Sequence, residues 1–364
     1  MRGLQRVLRQ LHAWTGLALS LLLFVLAVTG SALVYKEAYW RLAYPELRAP
    51  LPALDAGDHA RAIAAAQRAF GAELRSVKFP EPGVNAYHLY LTDGEAFLSA
   101  HDHRVIDRWR PHDRVMSLLF DVHAHLMAGA AGERVGGIIS LLGVFLAVTG
   151  LIVWWPTRGQ FSWRSLVPRD LARRTLIRWH RDLGVLASPL LALLLLTGAG
   201  LVFYTTAQKL LNGMLGDAVP VAAVPSGAAG PVQAHADDAL LARVQAALPD
   251  ARIVFYYPPR DGIRYHHFRL KQPCELHPNG RSYAYVGGGA GNVRTTDACV
   301  LPPGEKAVHA LYPLHAGKTE SALYKLATFL GGVVLAILSA SGVVTYVQKL
   351  RRRSVPERAF AVSA

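Results

Sequence analysis

Four of the chain's fifteen histidines fall at matched places, and imidazoles at matched places can act as paired metal ligands. Sliding the sequence by 168 residues lays His12-x-x-x-Gly16 on His180-x-x-x-Gly184, and Thr29-Gly30 on Thr197-Gly198. A shift of 192 lays His123 on His315 and Gly150 on Gly342. Two imidazoles facing each other across a symmetry axis supply what a six-coordinate haem iron needs, one nitrogen from each side. A single histidine at a membrane boundary is more often an interfacial polar residue than a ligand. Two pairs found by independent shifts favour ligation. No Cys-x-x-Cys-His occurs, so the expected group is haem b held without covalent attachment, with two haems expected: one iron on His12 and His180, the other on His123 and His315. His125 cannot share a helical face with His123 two residues away, so it is a reserve ligand, as is His309 in the second half. Gly16, Gly30, Gly184, Gly198 and Gly200 leave room for a flat macrocycle or for close helix approach.

Other groupings are weaker. His101 and His103 alternate along an expected strand, where a solvent-facing position is the better reading than a metal site. His266 and His267 are adjacent, so at most one points inward. Trp154, Trp155, Tyr204 and Tyr346 cap apolar stretches as interfacial anchors. No Ser-His-Asp or Cys-His arrangement stands out, so nucleophilic catalysis has no support.

The elements that must hold these residues are legible from charge. Residues 13–34, 135–156, 183–206 and 326–348 contain no Asp, Glu, Lys or Arg, and each is long enough for a helix to cross a hydrocarbon core of roughly 30 Å. Pro189 is expected to kink the third. The short pieces outside the stretches carry +3 before the first, +5 between the second and third, and +4 after the fourth. The long connections 35–134 and 207–325 carry −1 and +3. By the positive-inside rule both termini and residues 157–182 are cytoplasmic and the long connections lie outside. The net charge of +14 thus reflects topology, and a nucleic-acid partner loses its main support. The first apolar run is too long for a cleaved signal and is expected to remain as a span.

Each long connection begins with an amphipathic helix, at 58–70 and 236–248, and continues in short alternating runs. The first half has runs at 74–79, 85–91, 96–100 and 105–109, and the second at 253–257, 263–270, 283–286 and 292–295. The expected architecture is an α-helical membrane protein with four transmembrane helices in two parallel repeats and two small periplasmic α+β domains. Its divisions are 1–36 (cytoplasmic N-terminus and first span), 37–133 (first outer domain), 134–156 (second span), 157–182 (basic cytoplasmic loop), 183–206 (third span), 207–324 (second outer domain), 325–348 (fourth span) and 349–364 (basic tail). A linker at 218–231 precedes the second domain, and the Gly-rich run 287–291 reads as a hairpin loop rather than a phosphate cradle. Cys274 and Cys299 both fall in the second outer domain, where a disulfide or two unpaired thiols are equally open from sequence.

The runs "LHAWTGLALSLLLFVLAVTGSALVY", "HAHLMAGAAGERVGGIISLLGVFLAVTGLIVWWP", "WHRDLGVLASPLLALLLLTGAGLVF" and "LHAGKTESALYKLATFLGGVVLAILSASGVV" resemble the four spans of the PepSY-associated transmembrane helix family, and the outer segments resemble PepSY domains. There the chain resembles the ferrisiderophore (ferrioxamine-type) reductases of Gram-negative inner membranes. That resemblance implies haem-mediated electron transfer to the periplasm, reduction of Fe(III) in a siderophore, and release of Fe(II). It points to His12, His123, His180 and His315 as the haem ligands. It departs in the fourth span, where "LSASG" stands in place of a Thr-Gly pair. Reduction releases iron because hard oxygen chelators hold Fe(III) more tightly than Fe(II). The partners expected are a ferric siderophore, with hydroxamate types favoured, membrane lipid, and an electron donor that is a quinol or a cytoplasmic reductase. Docking is expected near Tyr256, Tyr257 and Tyr265, though core positions suit these tyrosines better. The competing reading is a haem-free module whose PepSY-like domains inhibit a peptidase or sense a ligand. A transporter is disfavoured because the spans hold no charge.

Overall fold

The computed structural model describes residues 2–216, 236–260, 265–287 and 293–353. The linker 218–231, most of the Gly-rich run and the tail beyond Arg353 lie outside them. Four helices are long and apolar enough to cross a membrane: α1 (Arg2–Val34), α5 (Gly129–Trp154), α6 (Arg173–Val202) and α10 (Ala322–Arg353). α1 and α6 begin about ten residues before their apolar stretches. The Arg- and Leu-rich leads of both are good helix formers and simply continue the hydrogen-bond ladder. α1 packs on α5 and α10, and α6 packs on the same two, so α1 and α6 lie diagonally across a four-helix bundle.

Six shorter helices connect the bundle to a sheet: α2 (Lys36–Ala43), α3 (Ala56–Phe70), α4 (Val115–His125), α7 (Tyr204–Leu215), α8 (Asp238–Ala247) and α9 (Pro303–Ala316). Asp55 caps α3 in a reciprocal box with Asp58, and Asp237 caps α8 through the Leu240 amide, so each starts where its sequence supplies an acceptor.

The sheet changes the expected domain picture. Strands β1 (Leu74–Lys78), β2 (Ala86–Leu91), β3 (Gly94–Ser99) and β4 (Val105–Trp109) come from the first half. Strands β5 (Arg252–Tyr257), β6 (Tyr265–Lys271), β7 (Ser282–Gly287) and β8 (Arg294–Thr296) come from the second. All eight form one antiparallel sheet in the order β4-β3-β2-β1-β5-β6-β7-β8. β1 joins β5 through Val77 opposite Tyr256 and Lys78 opposite Phe255. The expectation of two separate small domains is therefore corrected: the halves share a sheet and one core. Ile63, Val77, Leu89, Leu241, Tyr256 and Phe268 are all fully buried in that core, under α3 and α8. Joining the inner edges removes two strand ends that would otherwise be open to pairing. A second cluster, built on Trp40, Leu47, Phe97 and Trp109, fastens α2 to the opposite face of the sheet.

α4 and α9 turn back toward the bundle. After α4 the chain takes left-handed conformations at Leu126 (φ 49°), Met127 (φ 59°) and, where α5 begins, Gly129 (φ 54°). Gly132 permits the return, since a Cβ there would overlap the His125 carbonyl. After α9 the left-handed residue is Gly317 (φ 64°), packed against Thr328. Glu37 at the start of α2 is ion-paired with Lys318, tying the two connections together.

Candidate cofactor sites in the helix bundle

Both histidine pairs meet. His12 on α1 and His180 on α6 face each other across the bundle diagonal with ring centroids 6.4 Å apart. His123 on α4 and His315 on α9 have centroids 6.0 Å apart. An iron between two imidazoles, each nitrogen about 2 Å from the metal, sets centroids roughly 6 Å apart. The spacing of both pairs suits axial ligation.

Each ring is fixed through its Nδ1. His123 donates from Nδ1 to the Leu26 carbonyl at 2.9 Å, with the Thr29 hydroxyl at 3.3 Å. His315 donates to the Leu194 carbonyl at 2.9 Å, with Thr197 at 3.5 Å. A carbonyl only accepts, so Nδ1 carries the proton and Nε2 keeps a lone pair. At the far end His12 meets the Thr149 hydroxyl at 3.1 Å and His180 the Ser341 hydroxyl at 2.9 Å. Those hydroxyls already donate within their own helices, to Phe145 and Leu338 carbonyls, and so accept from the rings. The Leu146 and Leu338 carbonyls lie beside these two rings in the same manner. None of the four Nε2 atoms takes a hydrogen bond from a described residue. Nitrogen lone pairs thus remain on four rings locked by backbone and hydroxyl partners, which is how metal-binding histidines are oriented.

The partners follow a rule that single-residue matching did not reveal. Leu-x-x-Thr/Ser-Gly recurs at 26–30, 146–150, 194–198 and 338–342, once in each span. Its carbonyl and hydroxyl receive an imidazole from a neighbouring helix, and in three cases its glycine makes room for that ring. A Cβ on Gly30 would lie 2.6 Å from His123 Cε1, on Gly198 2.8 Å from His315 Cε1, and on Gly150 3.3 Å from His12 Cε1. Nothing lies within 4 Å of the corresponding point on Gly342, where the sequence also departs from Thr-Gly. The glycines hold space for an imidazole before they hold space for a macrocycle.

Burial, and after it the facing His315, hold the His123 imidazole down at about 4, and burial lowers His315 as well. Both rings are neutral at pH 7, the form that ligates. Among the described residues no three or more His, Cys, Asp or Glu gather in a metal-binding group, so the two-nitrogen arrangement is the metal-compatible geometry present.

The family model for the PepSY-associated TM region matches residues 9–349. The chain belongs to this family. The match takes in all four spans and both halves of the sheet, and with the helix lengths it identifies a PepSY-associated membrane protein. No curated protein matches the chain.

The remaining candidates go elsewhere. His125 bonds Asp121 at 2.9 Å and packs against Phe120, outside the His123–His315 pair. His309 is likewise outside it. His101 and His103 occupy the turn between β3 and β4, with His103 left-handed (φ 55°), and share no strand face. Of the adjacent pair, His266 is buried and His267 lies on the other face of β6. Tyr256 is wholly buried in the core, whereas Tyr257 and Tyr265 lie on the opposite, half-buried face. Cys274 and Cys299 are joined as a disulfide, with Cα atoms 5.9 Å apart.

Proposed function

We propose that this protein is a bacterial inner-membrane reductase that carries electrons through the bundle to ferric iron held by a siderophore on the sheet side, releasing Fe(II). In this reading the sheet is periplasmic, both termini are cytoplasmic, and the two halves are parallel repeats. The observation that carries it is the pair of opposed imidazole couples at 6.4 and 6.0 Å, one toward each end of the same four helices.

His12 with His180, and His123 with His315, would hold two b-type haems. Haem, when bound, supplies reversible one-electron carriage. The chain's own residues fix ring orientation through Nδ1, keep Nε2 free of protons, and surround the rings with apolar helix. His123 reaches the level of Leu26–Gly30 on α1, so the couples lie about 24 Å apart along that helix. That is shorter than two straight helices would give, because α4 and α9 fold back. An open, mostly apolar groove of about 430 Å³, lined by Leu4, Gln5, Leu8, Leu151, Ile152 and Trp155, begins one turn from His12 and would suit a lipid-soluble donor such as a quinol. At the other end Fe(III) gains one electron and leaves the chelator as Fe(II), with no bond of the chelator broken. The test is a reduced-minus-oxidised spectrum of protein expressed with ample haem, followed by reoxidation on adding a ferric chelate. A b-type spectrum that returns to the oxidised form supports the reading, whereas a colourless, folded protein favours the binding-module alternative.

A further inference from the structure

The sheet presents an unusual face toward the bundle. Along β6 the half-buried positions are Tyr265, His267, Arg269 and Lys271, and across the strand pair they meet Tyr285 opposite His267 and Tyr283 opposite Arg269. Arg281, two residues before Tyr283, falls on the same side. His267 stacks between Tyr257 at 4.7 Å and Tyr285 at 4.8 Å. The wall is aromatic, and its charges are the guanidiniums of Arg269 and Arg281 and the ammonium of Lys271, the last paired with Glu320 at 3.0 Å.

Neither arginine side chain forms an ion pair with a described residue, and the adjacent Glu275 carboxylate meets Arg281 through its backbone N–H while accepting from the Gln272 N–H and the Ser282 hydroxyl. Arg269 donates from Nε to the Gly280 carbonyl at 2.8 Å and lies 3.3 Å from His277 Nδ1, yet forms no ion pair. Arg281 is half-buried, its Nε is buried without a hydrogen-bond partner, and it too forms no ion pair. Glu305, on the neighbouring α9, is occupied instead by Gln208 at 2.9 Å and Asn212 at 2.7 Å. Burial, followed by these two guanidiniums, holds His277 down at about 2, and burial followed by Arg281 holds His309 at about 4, so the neighbouring imidazoles are neutral. Two desolvated cations without an anion are costly to keep unless a ligand completes them.

We propose that Arg269 and Arg281 form the docking site for an anionic ferric chelate, of the catecholate or carboxylate class, between the sheet and α9. As to the ligand being a ferric chelate, this rests on the reductase reading. The guanidinium fork suits oxyanions in a way a point charge does not, and the tyrosine wall suits aromatic chelating arms. The location is apt for delivery: Tyr312 stacks on His277 with centroids 5.1 Å apart, and His309 lies less than two turns, about 9 Å, from His315 on the same helix. Neutral or cationic hydroxamate complexes gain nothing from the two charges. The substrate class thus shifts away from the hydroxamates favoured by the sequence resemblance.

The experiment is equilibrium binding of redox-inert gallium(III) complexes to the full chain in detergent, read by tryptophan fluorescence. A gallium tris-catecholate should bind at least tenfold more tightly than a gallium trihydroxamate of similar size, and Arg281→Gln should lose about tenfold of that affinity. Arg281 is the better probe because its side chain makes no hydrogen bond to a described residue, and Arg281→Lys should recover only part. Equal affinity for both complexes, or an Arg281→Gln variant that binds like the native protein, overturns the site. So does loss of all selectivity when phosphatidylglycerol competes, which would assign the arginines to a lipid headgroup. Because gallium is not reduced, tight binding with no reduction of the iron counterpart would leave the site standing and defeat the reductase reading alone.

Discussion

Gly30 and His123 approach so closely that a methyl group on the glycine would fall 2.6 Å from Cε1 of the imidazole. Gly198 and His315 repeat the contact at 2.8 Å. Gly30→Ala and Gly198→Ala should therefore push the sheet-side rings off axis and remove one haem from each chain, leaving the far haem in place. Haem content per chain, measured by pyridine haemochrome, should fall from two to one. Gly136→Ala, where nothing lies within 4 Å, is the matched control and should change nothing.

At the far end the rings depend on hydroxyl acceptors. Thr149→Val or Ser341→Ala removes the oxygen that His12 or His180 meets. Partners of this kind are worth roughly 10–100-fold in metal affinity, so haem should be lost to apomyoglobin at least about tenfold faster than from native protein. Thr149→Ser, which restores the hydroxyl, should retain it.

Much of this site can be read from the chain, and the part that cannot has a physical reason. The shifts of 168 and 192 residues already match His12 with His180 and His123 with His315. Which glycine each ring fills depends on which helices are neighbours, and that depends on packing across the bundle. Gly129, Gly132 and Gly317 mark in the sequence where α4 and α9 could turn back, but the left-handed Leu126 and Met127 that share the first turn are residue types with no such preference, so its path is not legible. The β1–β5 junction was likewise invisible: alternation in β1 specifies a buried face but not which strand lies beside its edge. His101 and His103 were misplaced by taking alternation for a strand where the chain turns.

The Glu37–Lys318 pair links α2 to the connection after α9 and gives the fold an acid-sensitive contact. Burial pulls the Glu37 carboxyl upward, but Lys318 beside it overrides this and leaves it below its usual value. A carboxyl lowered on folding stabilises above its unfolded value near 4.5 and loses that contribution as pH falls through the folded value. Thermal stability in detergent should thus decline below about pH 4.5. Glu37→Gln should flatten that decline and cost about 2 kcal/mol at pH 7.

The Cys274–Cys299 disulfide spans 25 residues of the second half. Reduction, or Cys274→Ser with Cys299→Ser, should destabilise the sheet by about 3 kcal/mol. Limited proteolysis should show earlier cleavage around β7, while the b-type spectrum stays unchanged because neither cysteine touches the bundle histidines.

The most direct test is haem stoichiometry in single-histidine variants. Native protein purified from haem-replete cells should carry two b-type haems; His12→Ala or His180→Ala should abolish one, and His123→Ala or His315→Ala the other, with each residual spectrum distinct. Native protein that folds and inserts but contains no haem would contradict the account.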